Sequence, residues 1–203
     1  MEVSHEAMFL LTTSYQAYKR IENPGLYFKF DRDTVPCDEL VTIVFLGFYI
    51  EASLTNIIER MGRLNELVNC FYPKKKPKIF NIGLRRKISW FYTKYVENEE
   101  PDRDKLNDPN KKLDEKLEAR FPGFTQINEF RNDIAHGELS EAIRRTLTDY
   151  RDPNIVDDLR TKSKNIVDTL LEIANKSACS LITKNYSYED VLNKYGSYTK
   201  NTI

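Results

Sequence analysis

The run Val41–Ile58, reading VTIVFLGFYIEASLTNII, constrains the fold more than any other stretch of the chain. It is apolar on almost every side of a helix, so other elements must enclose it. A helix that needs covering all round marks the centre of a bundle. Asp38 is placed to cap it, and the apolar periodicity predicts one helix to about Asn69. Gly47 and Gly62 fall inside that span and either admit a neighbour closely or bend the helix. Glu51 and Asn56 interrupt the apolar run and face either solvent or a helix terminus, or else a polar cleft. The strongly apolar part ends at Glu51. Val41–Ile50 is therefore short for a membrane span and suits a buried core helix.

The remaining segments supply the cover. With only 7 glycines in 203 residues and many Leu, Ile, Glu and Lys, the chain leans towards helix. Ser4 to Ile21 reads as a first helix with Met8, Leu11, Tyr15 and Tyr18 on one face, stopped by Asn23-Pro24-Gly25. Leu26–Pro36 is an extended or irregular connection with room for a short strand. A helix opens at Arg85 and runs to about Glu97 through Ile88, Trp90, Phe91 and Tyr95. Asn98–Lys112 is charged, holds two prolines and lacks apolar periodicity, which predicts an exposed loop. A short helix over Leu113–Arg120 is broken by Pro122-Gly123, and Thr125 can cap the next one. A turn through Ile143 and Leu147 precedes a second long helix, capped by Asn154 and running to about Thr183. Its residues Ile155, Leu159, Ile166, Leu170, Ile173 and Ala174 form an amphipathic stripe. Ser187–Tyr195 fits a last short helix. The expectation is one all-α domain over residues 1–203, an antiparallel helical bundle with its core at about 38–184. An added N-terminal helix and a charged inter-helix loop extend that core.

Charge and cysteine usage narrow the function classes. The formal net charge is zero, so no global field draws nucleic acid. A local basic stretch exists in FYPKKKPKIF and just beyond it. Lys74, Lys75, Lys76, Lys78, Arg85, Arg86, Lys87 and Lys94 lie there among aromatic residues. Such a cluster either binds phosphates with rings for base stacking or is a solvated loop and helix face. Cys37, Cys70 and Cys179 are odd in number and lack metal-ligand spacing, which fits reduced thiols in the cytoplasm. The amino terminus has Glu2 and no basic n-region, so it does not read as a signal peptide. Two histidines without a Cys-x-x-Cys give no metal ligand set, and no glycine loop suits a phosphate cofactor. No metal and no cofactor is expected.

The stretch Phe124–Leu139, FTQINEFRNDIAHGEL, concentrates the candidate chemistry in Arg131, Asn132 and His136. Arg131 and His136 are roughly 140° apart on an ideal helix. Asn132 and His136 share a face. Gly137 is a helix C-terminal residue type, so the histidine falls in the last turn, where the helix dipole favours its charged form. A histidine that titrates near neutrality can act as general acid or base. An arginine beside it can hold a phosphate or stabilise developing charge.

The arrangement Arg131-Asn-Asp-Ile-Ala-His136 resembles the HEPN superfamily (higher eukaryotes and prokaryotes nucleotide-binding), whose motif is Arg, four to six residues, then His. Asn132, directly after the arginine, matches the polar residue typical of its nuclease members. GFYIEASLTNII is similar to the first core helix of such domains. The resemblance implies a HEPN-like bundle and a metal-independent endoribonuclease. In that family a homodimer brings two motifs into one cleft. His136 would act on the ribose 2′-hydroxyl or the leaving oxygen, and Arg131 would stabilise the scissile phosphate. RNA is then the substrate, with Lys74, Lys75, Lys76, Arg85 and Arg86 as candidate contacts. A toxin or anti-phage defence effector would also meet a protein antitoxin or regulator. Some family toxins carry a modifiable tyrosine two residues after the histidine, where this chain has Glu138. The alternative is a non-catalytic nucleotide-binding or dimeric interaction module of the same fold. Neither reading calls for a membrane.

Overall fold

The structure is a computed structural model that describes residues 27–30, 33–73, 82–107, 111–135 and 153–177. For 27–30, 33–40, 107, 111, 134–135 and 153–156 it describes the backbone alone. The expected helices at Ser4–Ile21 and Ser187–Tyr195, and the turn through Ile143 and Leu147, lie outside the described residues.

The body is all-α. Strands β1 (Tyr27–Phe30) and β2 (Asp33–Pro36) precede it as a short antiparallel ribbon, with Phe28 opposite Val35 and Lys29 opposite Thr34. Helix α1 (Cys37–Arg60) follows directly, so Asp38 lies inside the first turn rather than ahead of it. Ile43, Leu46, Ile50, Leu54 and Ile58 recur every three or four residues along α1 and are all buried. Each such side chain contributes roughly 1.5–3 kcal/mol of burial free energy. The helix packs most extensively on α7 (Pro153–Ser177), then on α6 (Phe124–Ala135), and also on α3 (Leu84–Tyr95). This is the central position that its apolar run requires.

One helix to Asn69 was the expectation, and the chain instead breaks after Arg60. Gly62 adopts φ +68, a left-handed conformation that glycine takes at little cost. Its amide donates to the Glu59 carbonyl at 2.9 Å, and the Arg63 amide donates to the Ile58 carbonyl at 3.0 Å. That pair of bonds is a Schellman ending. Helix α2 (Leu64–Phe71) then starts, burying Leu67 and Phe71.

The segment expected to be an exposed loop is partly anchored. It contains helix α4 (Arg103–Asn107), whose Leu106 is buried, and it ends in helix α5 (Lys111–Arg120). The Cys70 thiol donates to the Pro101 carbonyl at 3.5 Å, and burial pushes that thiol up from its ordinary value.

Helix α6 carries the motif, and its start differs from expectation. Thr125 sits inside the first turn, and the cap comes from Glu118 on α5. The Glu118 carboxylate accepts hydrogen bonds from the amides of Gly123 at 2.6 Å and Thr125 at 3.0 Å. A carboxylate at a helix N-terminus also complements the helix dipole. Helix α7 begins at Pro153, a residue pre-shaped for the first helical position, so Asn154 lies within it. Leu159, Ile166, Leu170, Ile173 and Ala174 are buried, as their spacing requires.

Candidate functional site

Arg131 projects from α6 onto one face of α1. Gly47, Phe48, Glu51 and Thr55 make up that face, spaced so that they lie on neighbouring turns. A Cβ on Gly47 would sit 3.1 Å from both Cβ and Cδ of Arg131, so the missing side chain leaves room for the arginine stem. The guanidinium lies over the Phe48 ring, 5.1 Å from its centroid. A cation on a ring face there contributes about 0.5–2 kcal/mol. Nη2 of Arg131 donates to Oε2 of Glu51, and Nη1 donates to Oδ1 of Asn132 at 3.2 Å.

Glu51 has a second cation. Lys87, from α3, donates to Glu51 Oε1 at 2.8 Å and to Thr55 Oγ1 at 3.1 Å. Thr55 in turn donates to the Glu51 carbonyl at 2.8 Å. The Lys87 side chain is 2% exposed, while those of Glu51 and Arg131 are each 14% exposed. One carboxylate thus ties three helices together through two cations. Burying charge at this depth is costly unless each group is paired and hydrogen-bonded; each of the three is paired, while Nε of Arg131 is buried without a hydrogen-bond partner among the described residues.

Glu51 therefore faces neither open solvent nor an empty cleft; it meets the motif arginine. Lys87 belongs by sequence to the basic stretch, and its burial removes it from the cations that stretch exposes. The pattern around it concealed this, because Arg85-Arg86-Lys87 reads as one exposed basic run. A lysine one turn after Leu84 and one turn before Phe91, both buried, was the available sign.

The other predicted site residues are distributed as follows. Arg131 and Asn132 are brought together, half-buried. His136 lies outside the described residues, one position beyond the last described residue of α6. Lys74, Lys75 and Lys76 also lie outside them. Arg85 is engaged by Asp114 at 2.9 Å and by the Leu106 carbonyl at 3.3 Å. Arg86 is exposed, 5.9 Å from the centroid of the Phe71 ring. Lys94 pairs with Glu66 at 3.0 Å and Glu100 at 3.2 Å. Among the described residues, no group of three or more His, Cys, Asp or Glu is placed to hold a metal ion.

Asn128, one turn before Asn132, is buried with its Oδ1 lacking a hydrogen-bond partner among the described residues. Such an acceptor costs about 1–3 kcal/mol in an apolar setting. Helix α1 also bears on location. Val41–Arg60 is long and apolar enough to cross a membrane by length and composition, so Val41–Ile50 understated the apolar stretch. Half of that span is buried inside the protein, and its Glu51 is paired to cations on two other helices.

The chain matches no protein-family model, no curated protein and no solved structure.

Proposed function

We propose that this chain is a HEPN-type endoribonuclease that cleaves RNA through the ribose 2′-hydroxyl without a metal ion. The observation that carries the reading is the Glu51–Arg131 pair. The two stretches in which the chain resembles HEPN domains, one around Glu51 and one around Arg131, are 80 residues apart in sequence. They meet side chain to side chain. A resemblance by chance in two unrelated stretches carries no requirement that they touch.

In this reading Arg131, oriented by Glu51 and Asn132, holds the scissile phosphate and stabilises the charge that builds on it. His136 moves the proton at the 2′-hydroxyl or the leaving oxygen. The 2′-oxygen attacks the adjacent phosphorus, the 5′-oxygen leaves with a proton, and a cyclic phosphate end remains. The bundle pairs with a second copy across α6, so that two motifs share one cleft. In this reading the protein acts in the cytoplasm as a toxin or anti-phage defence effector, restrained by a protein antitoxin or regulator.

The test is cleavage of RNA by purified protein in EDTA. Wild type should release products with cyclic phosphate ends, and Arg131→Ala and His136→Ala should each lower the rate by about 10²-fold or more. Intact RNA across varied substrates would overturn the reading.

One observation favours a second reading. The Arg131 guanidinium is largely enclosed and already bonded to Glu51 and Asn132. A non-catalytic nucleotide-binding or dimeric module of the same fold would use it that way, and both substitutions would then change association rather than turnover.

A further inference from the structure

We infer that Lys87, Glu51 and Arg131 form one phosphate-binding unit, in which Lys87 is a positioning residue that cancels the Glu51 charge and leaves the Arg131 charge to the phosphate. This rests on the reading of Arg131 as a phosphate contact.

The argument starts from a cost. Lys87 is almost wholly buried, and burying an ammonium is expensive even when it is paired. A methionine would fill similar space without that cost. Glu51 and Arg131 alone would already form a neutral pair, so balance between those two does not require the lysine. With it, two cations share one carboxylate, and the cluster keeps a net charge of one positive unit.

Geometry decides where that charge is presented. Each Glu51 oxygen serves one cation: Oε1 takes Lys87 and Oε2 takes Arg131. Lys87 is also fixed by Thr55 and has almost no exposed surface. Arg131 lies at the edge of the cluster, 14% exposed; its Nε is buried without a hydrogen-bond partner among the described residues, and its two Nη groups each keep a second hydrogen beyond those used on Glu51 and Asn132. The uncompensated charge is therefore available to a ligand only through the guanidinium, whose planar fork suits phosphate oxygens. In a setting drier than bulk water, such a charge attracts an anion more strongly than an exposed one does. Without Lys87, Arg131 would face a carboxylate that belongs to it alone.

The prediction is an order of affinities set by local charge. The probe is a fluorescent RNA oligonucleotide carrying 2′-O-methyl at every position, which the 2′-hydroxyl route cannot cleave. Binding is read by anisotropy at fixed ionic strength, on variants that unfold cooperatively. Lys87→Met should bind about tenfold more weakly than wild type. The double variant Lys87→Met/Glu51→Gln restores one net positive charge and should return to within about threefold of wild type. Glu51→Gln alone should bind more tightly than wild type. If its two buried cations prevent folding, Lys87→Met and the double variant decide the matter. A merely structural Lys87 predicts that the double variant stays as weak as Lys87→Met, and that result overturns the inference. So does wild-type affinity in Lys87→Met, or a wild type that does not bind the probe. Cleavage of unmodified RNA is scored separately. A charge-ordered series without cleavage removes the nuclease reading and keeps the unit. Cleavage with a flat series does the reverse.

Discussion

Glu51 and Glu66 each bridge two cations on this protein, in different surroundings. Glu51 joins Lys87 and Arg131, with side chains 2% and 14% exposed, and so links α1, α3 and α6. Glu66 joins Arg63 and Lys94 on the rim of α2 and α3, and is itself 36% exposed. Its hydrogen bond holds Lys94 above the ordinary lysine range. The pattern of signs is the same at both places. Water screens the outer cluster and competes for its members, whereas the inner cations turn, besides Glu51, to Thr55 and Asn132. The charges at the inner site thus fix helix positions, and those at the outer site decorate a surface.

Substitutions can break this contrast, beginning with the largest effect. Glu51→Ala leaves a buried lysine and a mostly buried arginine without their carboxylate. It should lower unfolding stability by about 3–5 kcal/mol in urea. A loss below about 1 kcal/mol would place Glu51 in the same class as Glu66. Gly47→Ala puts a methyl 3.1 Å from the Arg131 stem, so its helix-propensity gain of about 0.5–1 kcal/mol should be offset by a repacking cost of about 1–3 kcal/mol. Part of that repacking cost should vanish when Arg131 is already alanine, because the Cγ and Cδ contacts go while the Cβ contact stays. Glu118→Ala removes the cap of α6 without touching the inner cluster. A loss of about 1 kcal/mol is expected, and a much larger one would mean that the cluster depends on the helix start. Glu66→Ala should change stability by less than about 1 kcal/mol, and the change should shrink further in high salt.

How far the sequence discloses this differs by element. Helix α1 is legible because Ile43, Leu46, Ile50, Leu54 and Ile58 keep one period over four turns. The stripe on α7 is legible for the same reason. The break at Gly62 is not, since apolar spacing resumes in α2 and periodicity cannot distinguish a bend from a full stop. The cap of α6 is hidden for a different reason. Glu118 lies before Pro122-Gly123, and local rules look for a capping residue next to the helix it caps. At the candidate site, the spacing of Arg131 and Asn132 is local and readable. The partner of Arg131 is 80 positions away, and only packing of α6 on α1 discloses it. Lys87 is the residue that sequence reasoning placed least well, because the two residues before it are the more exposed arginines Arg85 and Arg86.

A double-mutant cycle between Glu51 and Arg131, read by urea unfolding, tests most directly whether that carboxylate holds the motif arginine. The geometry predicts a coupling of at least about 2 kcal/mol, well above that of the Glu66–Lys94 pair measured in the same way. A coupling below about 0.5 kcal/mol, with the two single substitutions simply additive, would contradict it.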